Sequence, residues 1–463
     1  MEKLSLLEIA EALGVQPEGD MASIQENWAQ ITVDSVCTDT RNITPGCLFI
    51  ALSGERFDGH DFVEQAFAQG AAAAVVHRPV VSEYPVLRVE NTRTALLDLA
   101  RFYRKRFSVF LVGITGSVGK TSTKEMIYGV LSQKFKTLKT QGNLNNEIGL
   151  PMTLLGLDCS YRAAVIEMGM SDFGEISRLT KTALPNLGVI TNIGVSHLET
   201  LGSRENILKA KLEIMDGLQG DLPLILNGDD DLLSTVGEFV DREIIYYGIK
   251  NTDAGVTASD IDVQGLSTEF TISYFGKKAR ARIPTIGEHN VYNALAAFCV
   301  GLVSEMTEEE ILRGLSQYKP AGMRQNITDY KGITVIEDCY NASPDSMKAA
   351  LSVLDAVQTQ GRRIAVLGDM LELGDISEKA HYKVGVLAGQ SGADEVLCFG
   401  PQSENIARGA MSEGMTQVAV FQDKEELSRY LAEHTAPGDT VLFKASRGMR
   451  LEQVIQTTYG GEE

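Results

Sequence analysis

No segment of this chain approaches the roughly 20 consecutive apolar residues that a membrane-spanning helix requires. The opening MEKLSLLEIAEALG has neither the basic start nor the unbroken apolar core of a secretion signal. A soluble, cytoplasmic protein without membrane insertion is therefore expected. Cysteine is sparse: six residues, at 37, 47, 159, 299, 339 and 398, include no C-x-x-C pair. That spacing argues against a disulfide framework or a thiolate metal site and for free thiols. Positive charge is also short. The 42 Lys and Arg against 62 Asp and Glu leave a net −20, which repels nucleic acid and anionic membrane surfaces and confines anion binding to local sites. Internal repeats and low-complexity tracts are lacking as well. At 463 residues the chain is too long for one ordinary core, and size alone suggests roughly three domains.

The most informative segment present is FLVGITGSVGKTSTKE, Phe110 to Glu125. A short apolar strand, a glycine-bearing loop and a helix would aim backbone N–H groups and a helix N-terminus at a polyphosphate. Thr115, Gly116, Ser117, Gly119, Lys120, Thr121 and Ser122 form the expected nucleotide loop, with Lys120 offsetting phosphate charge and the Thr121 hydroxyl helping to hold Mg²⁺. The strict G-x-x-x-x-G-K-T pattern fails, because Ile114 stands where its first glycine belongs. A subclass of phosphate loop is indicated; a plain glycine-rich turn is the alternative.

Organisation along the chain predicts an α/β protein of three domains. Residues 1–107 mix short strands (CLFIAL, AAAAVV, PVLRV) with helices and end in the amphipathic TALLDLARFYRKRF, whose basic end beside Phe107 reads as a boundary. Residues 108–318 alternate apolar strands (VFLVGIT, AAVIEMG, LGVITNIG, PLILN) with helices, the pattern of a doubly wound, mostly parallel sheet. A polar, strand-like insertion near 250–285 and the helix NVYNALAAFCVGLV follow. After the hinge YKPAG, residues 319–463 resume the alternation (ITVIED, RRIAVLGD, DEVLCFG, TVLFKAS) as a Rossmann-like domain.

Further residues suggest chemistry. Glu167 ends an apolar strand beside the loop, where a carboxylate would meet Mg²⁺; a solvated strand end is the alternative. His197 ends the next strand on the same edge. Lys211 falls on the helical stripe of Ile207, Ile214 and Leu218, so it must pair, snorkel or be modified, and a CO₂ adduct would turn a cation that repels metal into a carboxylate. Asn145 and Asn146, in GNLNNEIGLP, could bind metal or an oxyanion, or simply form a turn. GEHNVYNALAA sets His289, Asn290 and Asn293 at a helix start, able to read a base edge or to cap.

Together these segments resemble the ATP-dependent Mur ligases, a family that also includes folylpolyglutamate synthetase. GITGSVGKTSTKE is similar to that family's nucleotide loop, with the same departure from the strict pattern, and EMG, NIGVSH, AKLEI and GEHNVYNALAA follow in the family's order over essentially the whole chain. DTRNITPGCLFIALSGERFDGHDF resembles the UDP-binding region of members that add later stem-peptide residues. EDCYNASPDSM and VLGDMLELGD resemble the branch that joins D-alanyl-D-alanine to UDP-N-acetylmuramoyl-tripeptide. The D-N-P-R motif of the tripeptide-forming branch is missing.

The resemblance implies ATP and Mg²⁺, two ions, at Thr121, Glu167, His197 and a carbamylated Lys211, with Asn290 and Asn293 at adenine, Arg324 at the phosphates and Asp338 at the ribose. It places Asp39, Thr40, Arg41, Asp58, Gly59 and His60 near the UDP end, and Tyr340, Asn341, Lys444, Ser446 and Arg447 near the dipeptide. Ser196 and Ala445 depart from the family's alanine and glycine. A monomeric, ADP-forming ligase acting through an acyl phosphate is expected. Other members of the family, or a nucleotide-driven switch that joins nothing, are the alternatives.

Overall fold

The computed structural model describes residues 1–16, 21–54 and 57–460; Glu55 and Arg56 of the DTRNITPG…GHDF motif lie outside them. The first sheet is parallel, in the order β3 (Val36–Cys37), β4 (Leu48–Ile50), β5 (Ala73–Val76), β6 (Val86–Arg88), after an antiparallel pair of β1 (Leu4–Ser5) and β2 (Thr32–Val33). No helix among the described residues is long and apolar enough to cross a membrane.

The central strands are β7 (Phe110–Thr115), β8 (Thr137–Lys139), β9 (Ala163–Glu167), β10 (Leu187–Ile190), β11 (Leu224–Asn227), β12 (Ile244–Gly248), β13 (Val256–Gln264), β14 (Ser267–Tyr274) and β15 (Lys277–Ile283). They form one nine-stranded sheet in the order β15-β14-β13-β12-β11-β10-β7-β9-β8. β9, β10 and β11 are buried at every residue, as strands covered on both faces by helices must be. In β15 the exposed Lys278, Arg280 and Arg282 alternate with buried Ala279, Ala281 and Ile283, which suits an antiparallel edge with one wet face. The polar segment near 250–285 is thus a continuation of the main sheet rather than an inserted unit, since β13 pairs parallel with β12 through Tyr247–Val256 and Gly248–Thr257.

The third sheet runs β16 (Asn326–Tyr330), β17 (Ile333–Glu337), β21 (Thr440–Lys444), β18 (Arg363–Gly368), β19 (Glu395–Phe399), β20 (Val418–Phe421), parallel except for β16. Both it and the central sheet have strand orders that reverse, which opens a crevice at the carboxyl ends of the strands. β7 and β17 direct their carboxyl ends into a common cavity.

The helix Thr92–Arg104 packs between the first and central sheets. Leu96, Leu99 and Tyr103 belong to one continuous core with Leu48 and Val75 of the first sheet and Leu111, Ile166 and Ile190 of the central one. The buried Tyr103 hydroxyl donates to Leu157 O and accepts from Glu2 N, both at 2.6 Å. Arg104, 6% exposed, donates to the carbonyls of Ala183 (3.1 Å), Phe107 (2.7 Å) and Val109 (2.9 Å); burial lowers its pKa. A buried cation is tolerated here because carbonyl oxygens replace its water. Arg104→Met would strand those carbonyls, at a cost of about 3 kcal/mol or more. Trp28, the sole tryptophan, packs on the same core, so its fluorescence in urea reports the joint; an unchanged midpoint would show that Arg104 does not hold it.

Candidate active site

The loop after β7 has its shape imposed by close neighbours. Gly116 has φ 149°, and a Cβ there would lie 1.9 Å from Thr191 Oγ1; Gly119 has φ 85°, with Asn293 Oδ1 2.9 Å from the same position. Neither site admits a side chain. Residues leaving β10 hold the loop: Val118 N donates to Asn192 Oδ1 (2.9 Å), Gly194 N to Ser117 Oγ (2.9 Å), and Thr191 Oγ1 to Val118 O (2.7 Å). The helix Lys120–Leu131 begins at Gly119 with no side-chain cap, which leaves its positive end for an anion. Lys120 Nζ folds back to Gly116 O at 2.8 Å. Its pKa is lowered, first by burial and then by Arg324, against the pull of Glu167. Thr115 Oγ1, at the base of the loop, is buried without a partner.

Glu167 gathers the groups around it. Thr121 Oγ1 donates to Oε2 at 2.9 Å and Asn145 Nδ2 to Oε1 at 2.8 Å. Lys124 Nζ lies 3.6 Å from Oε2, and 3.4 Å from both Glu125 Oε1 and Gly142 O; Lys139 completes the network through Glu125. Sequence reasoning missed Lys124, although the stripe argument used for Lys211 finds it: Lys124, Ile127 and Leu131 share a buried helix face. Asn146 acts as a turn former, its Oδ1 accepting from Ile148 N (3.1 Å) and Gly149 N (2.9 Å).

Lys211 is 2% exposed and forms no ion pair among the described residues. Its pKa falls well below the usual amine value through burial and then the charge of Lys120. His197, at φ 62° before the helix Leu198–Leu201, is lowered to about 4 by burial, Lys211 and Lys120 in that order. Three basic groups therefore repel one another here. Among the described residues no group of three or more His, Cys, Asp or Glu could hold a metal. A hard divalent ion fits the paired oxygens of Thr121 and Glu167 in company with phosphate oxygens, whereas an unmodified Lys211 ammonium does not fit it.

The loop, Asn145 and Glu167 line a cavity of about 430 Å³ whose opposite wall comes from the third domain: Arg324, Asp338, Tyr340, Asn341, Asp345 and Lys444. The Arg324 guanidinium sits 3.8 Å from the centre of the Tyr340 ring. Lys444 Nζ pairs with Asp338 Oδ2 at 2.9 Å and donates to Asn341 O at 2.8 Å. Asn293 lines the cavity. Asn290 does not; its Nδ2 donates to Ile286 O (2.8 Å) and to Oε1 of Gln325 (2.7 Å), a residue not singled out from sequence. Gln325 also donates to Ile286 O at 2.6 Å and meets His289 Nε2 at 3.2 Å. Ser446 and Arg447 lie off the cavity: Ser446 Oγ accepts from Leu371 N (2.9 Å), and Arg447 pairs with Glu452 (2.7 Å).

None of the six first-domain candidates lines the cavity. Asp39 and Arg41 pair at 2.5 Å around a turn that contains Thr40, and the pair lowers the Asp39 pKa to about 2. His60 Nδ1 meets Asp58 at 2.6 Å, and its Nε2 accepts from His77 N at 2.9 Å, which fixes the proton on Nδ1. Gly59 is packed against Leu52, with N and O 2.8 Å from a built Cβ.

Comparison with known proteins identifies the family. Three family descriptions match in succession: "Mur ligase family, catalytic domain" over residues 32–104, "Mur ligase middle domain" over 114–301, and "Mur ligase, glutamate ligase domain" over 323–447. The UDP-N-acetylmuramoyl-tripeptide–D-alanyl-D-alanine ligase of Bacillus subtilis is 41% identical, over 98% of this chain and 98% of that protein. A crystal structure of MurF from Acinetobacter baumannii superposes with a TM-score of 0.91 at 32% identity, covering 100% of both chains. MurF ligase from Thermotoga maritima, in complex with ADP, has a TM-score of 0.83 at 31% identity over 92% of this chain and 97% of that one. The chain belongs to the Mur ligase family.

Proposed function

We propose that this chain is an ATP-dependent amide ligase of the cytoplasm that joins D-alanyl-D-alanine to UDP-N-acetylmuramoyl-tripeptide, releasing ADP and phosphate. The observation that carries the reading is that one cavity is walled by the phosphate loop on one side and by Arg324, Asp338 and Lys444 on the other. The names borne by the similar proteins support the substrates, and the ADP complex of the Thermotoga ligase supports the nucleotide.

In the first step a carboxylate oxygen of the tripeptide attacks the γ-phosphorus of ATP; the bond to ADP breaks and an acyl phosphate forms. Two anions must approach, so Lys120, the helix terminus and Arg324 lower the barrier by facing the charge that gathers between them. In the second step the dipeptide amine attacks the acyl carbon, the C–N bond forms, the C–O bond to phosphate breaks and a proton leaves the nitrogen. Magnesium, held by Thr121 and Glu167, would supply further neutralisation of phosphate charge. His197 and Lys211 are proposed as the second ion's surroundings. There the lysine would first react as a neutral amine with CO₂, forming an N–C bond and losing a proton. Its burial without a carboxylate partner supports that modification, because the carbamate would exchange a repelling cation for an attracting anion. Water must be kept from the acyl phosphate, and the third-domain wall is placed to do so.

A nucleotide-driven switch would release phosphate without acceptors. The ligase releases it only when both the UDP-tripeptide and D-alanyl-D-alanine are present, and a coupled phosphate assay with each omitted in turn separates the two. Lys120→Ala should lower turnover by about 10²-fold or more while UDP-substrate binding, followed by calorimetry, stays nearly unchanged; equal loss of both would contradict the division between domains. Withdrawal of bicarbonate at mildly acidic pH should lower activity about tenfold, with recovery on its return. Indifference to bicarbonate, together with an intact mass showing no adduct under conditions that preserve carbamates, would sink the modification at Lys211.

A further inference from the structure

Asp345 stands apart from the other acidic groups of the cavity. It opens the helix Pro344–Ala356 of the third domain and reaches across to the phosphate loop. A side-chain carbon built on Gly194 would lie 2.8 Å from Asp345 Oδ2 and 3.2 Å from Ser117 Cβ, so the carboxylate faces the mouth of the loop. Glu167 is matched by Thr121, Asn145 and Lys124, and Asp338 by Lys444. Asp345 accepts no hydrogen bond and forms no ion pair among the described residues. Two positive charges act on it from further off, Arg204 and Lys348, and Arg204 is already engaged by Asp231 (2.5 Å) and Ile193 O (2.8 Å). Asp345 is exposed to the cavity, and the partial loss of water around its carboxyl group raises its pKa.

A helix N-terminus favours an aspartate, but that does not explain why its charge is turned toward a loop built to hold a polyanion. With nucleotide bound, the two negative groups would face each other across the gap, a repulsion that only an intervening cation relieves. Of the ammonium groups in the proposed reaction, the side-chain amine of a diamino acid in the tripeptide takes no part in the chemistry, whereas the terminal ammonium of the dipeptide supplies the attacking nitrogen. That nitrogen must also reach the acyl carbon beside the γ-phosphate.

We propose that Asp345 is a binding residue for the ammonium end of the incoming dipeptide, holding it at the mouth of the phosphate loop until it gives up its proton and attacks. The proposal rests on the amide-ligase reading above. Hydroxylamine, a small neutral nucleophile, can replace the dipeptide and convert the acyl phosphate to a hydroxamate without needing an ammonium site. In D345N the KM for D-alanyl-D-alanine should rise about tenfold or more, as loss of a charge-assisted contact predicts. ATP-dependent hydroxamate formation should stay within about twofold, a split that a merely structural role would not produce, and D345E should recover part of the dipeptide affinity. A D345N enzyme that keeps both its hydroxamate rate and its dipeptide KM overturns the proposal, and so does one whose magnesium requirement rises while dipeptide KM holds. Equal loss of both reactions in D345N and D345E also overturns it, in favour of a structural role. Failure of the unsubstituted protein to form hydroxamate would instead remove the ligase reading itself.

Discussion

The carboxylate of Glu167 is the constraint around which the central edge is built. It sits at the end of a strand buried at every residue, where an uncompensated charge would be costly. Its two oxygens meet the first turn of the helix after the phosphate loop, through Thr121, and the asparagine loop, through Asn145. Lys124, one turn further along that helix, supplies the positive charge. Compensation of one buried anion therefore fixes the loop, the helix and the asparagine segment relative to one another. The oxygens that would face a divalent ion are assembled by the same contacts.

The second organising feature is an imbalance of sign. The chain as a whole carries −20, yet Lys120, Lys211, His197 and Arg324 act on one another as like charges in one region. Burial depresses the basicity of the first three, so the region lowers its own cost by releasing protons. A polyphosphate reverses the argument for Lys120 and Arg324, which line the cavity: once it is bound, they are favoured in their charged forms and become its counter-ions. The long-range field opposes a nucleotide and the local field invites it, which leaves selection of the anion to the loop rather than to the surface.

Legibility in the sequence followed locality. The phosphate loop was readable because strand, glycines, lysine and helix are contiguous, and because the steric demands at Gly116 and Gly119 admit glycine alone. Glu167 was readable as the end of an apolar run. Lys124 was not, because its partners Gly142 and Glu167 lie on other segments of the chain, and Gln325 was not, because its partners Ile286, His289 and Asn290 lie more than thirty positions away. The segment 250–285 reads as an insertion because it is polar; in the fold its alternation marks one wet face of a sheet whose inner strands β9, β10 and β11 are buried at every residue. Asp58 and His60, read as candidates for substrate, hold each other and the His77 backbone. A motif signals that residues matter without saying whether they touch a ligand or shape the turn that does.

The two domain joints differ in kind, and that difference bears on how the cavity opens. The first and central sheets share one apolar core through the helix Thr92–Arg104, and separating them would expose that core and strand the carbonyls held by Arg104. The third domain has its own cores on both faces of its sheet, to which Ile286 contributes from the central side. Its nearer ties are polar: Gln325, at φ 50°, bridges to Ile286, His289 and Asn290 at the start of the helix Glu288–Val303. Polar contacts exchange readily with water, whereas a shared apolar core does not. Motion that admits substrates should therefore occur at residues 319–325, with the first two sheets moving as one body. Such a motion would carry Arg324 and Lys444 away from the phosphate loop, whose own geometry is held within the central domain by Glu167 and the residues leaving β10.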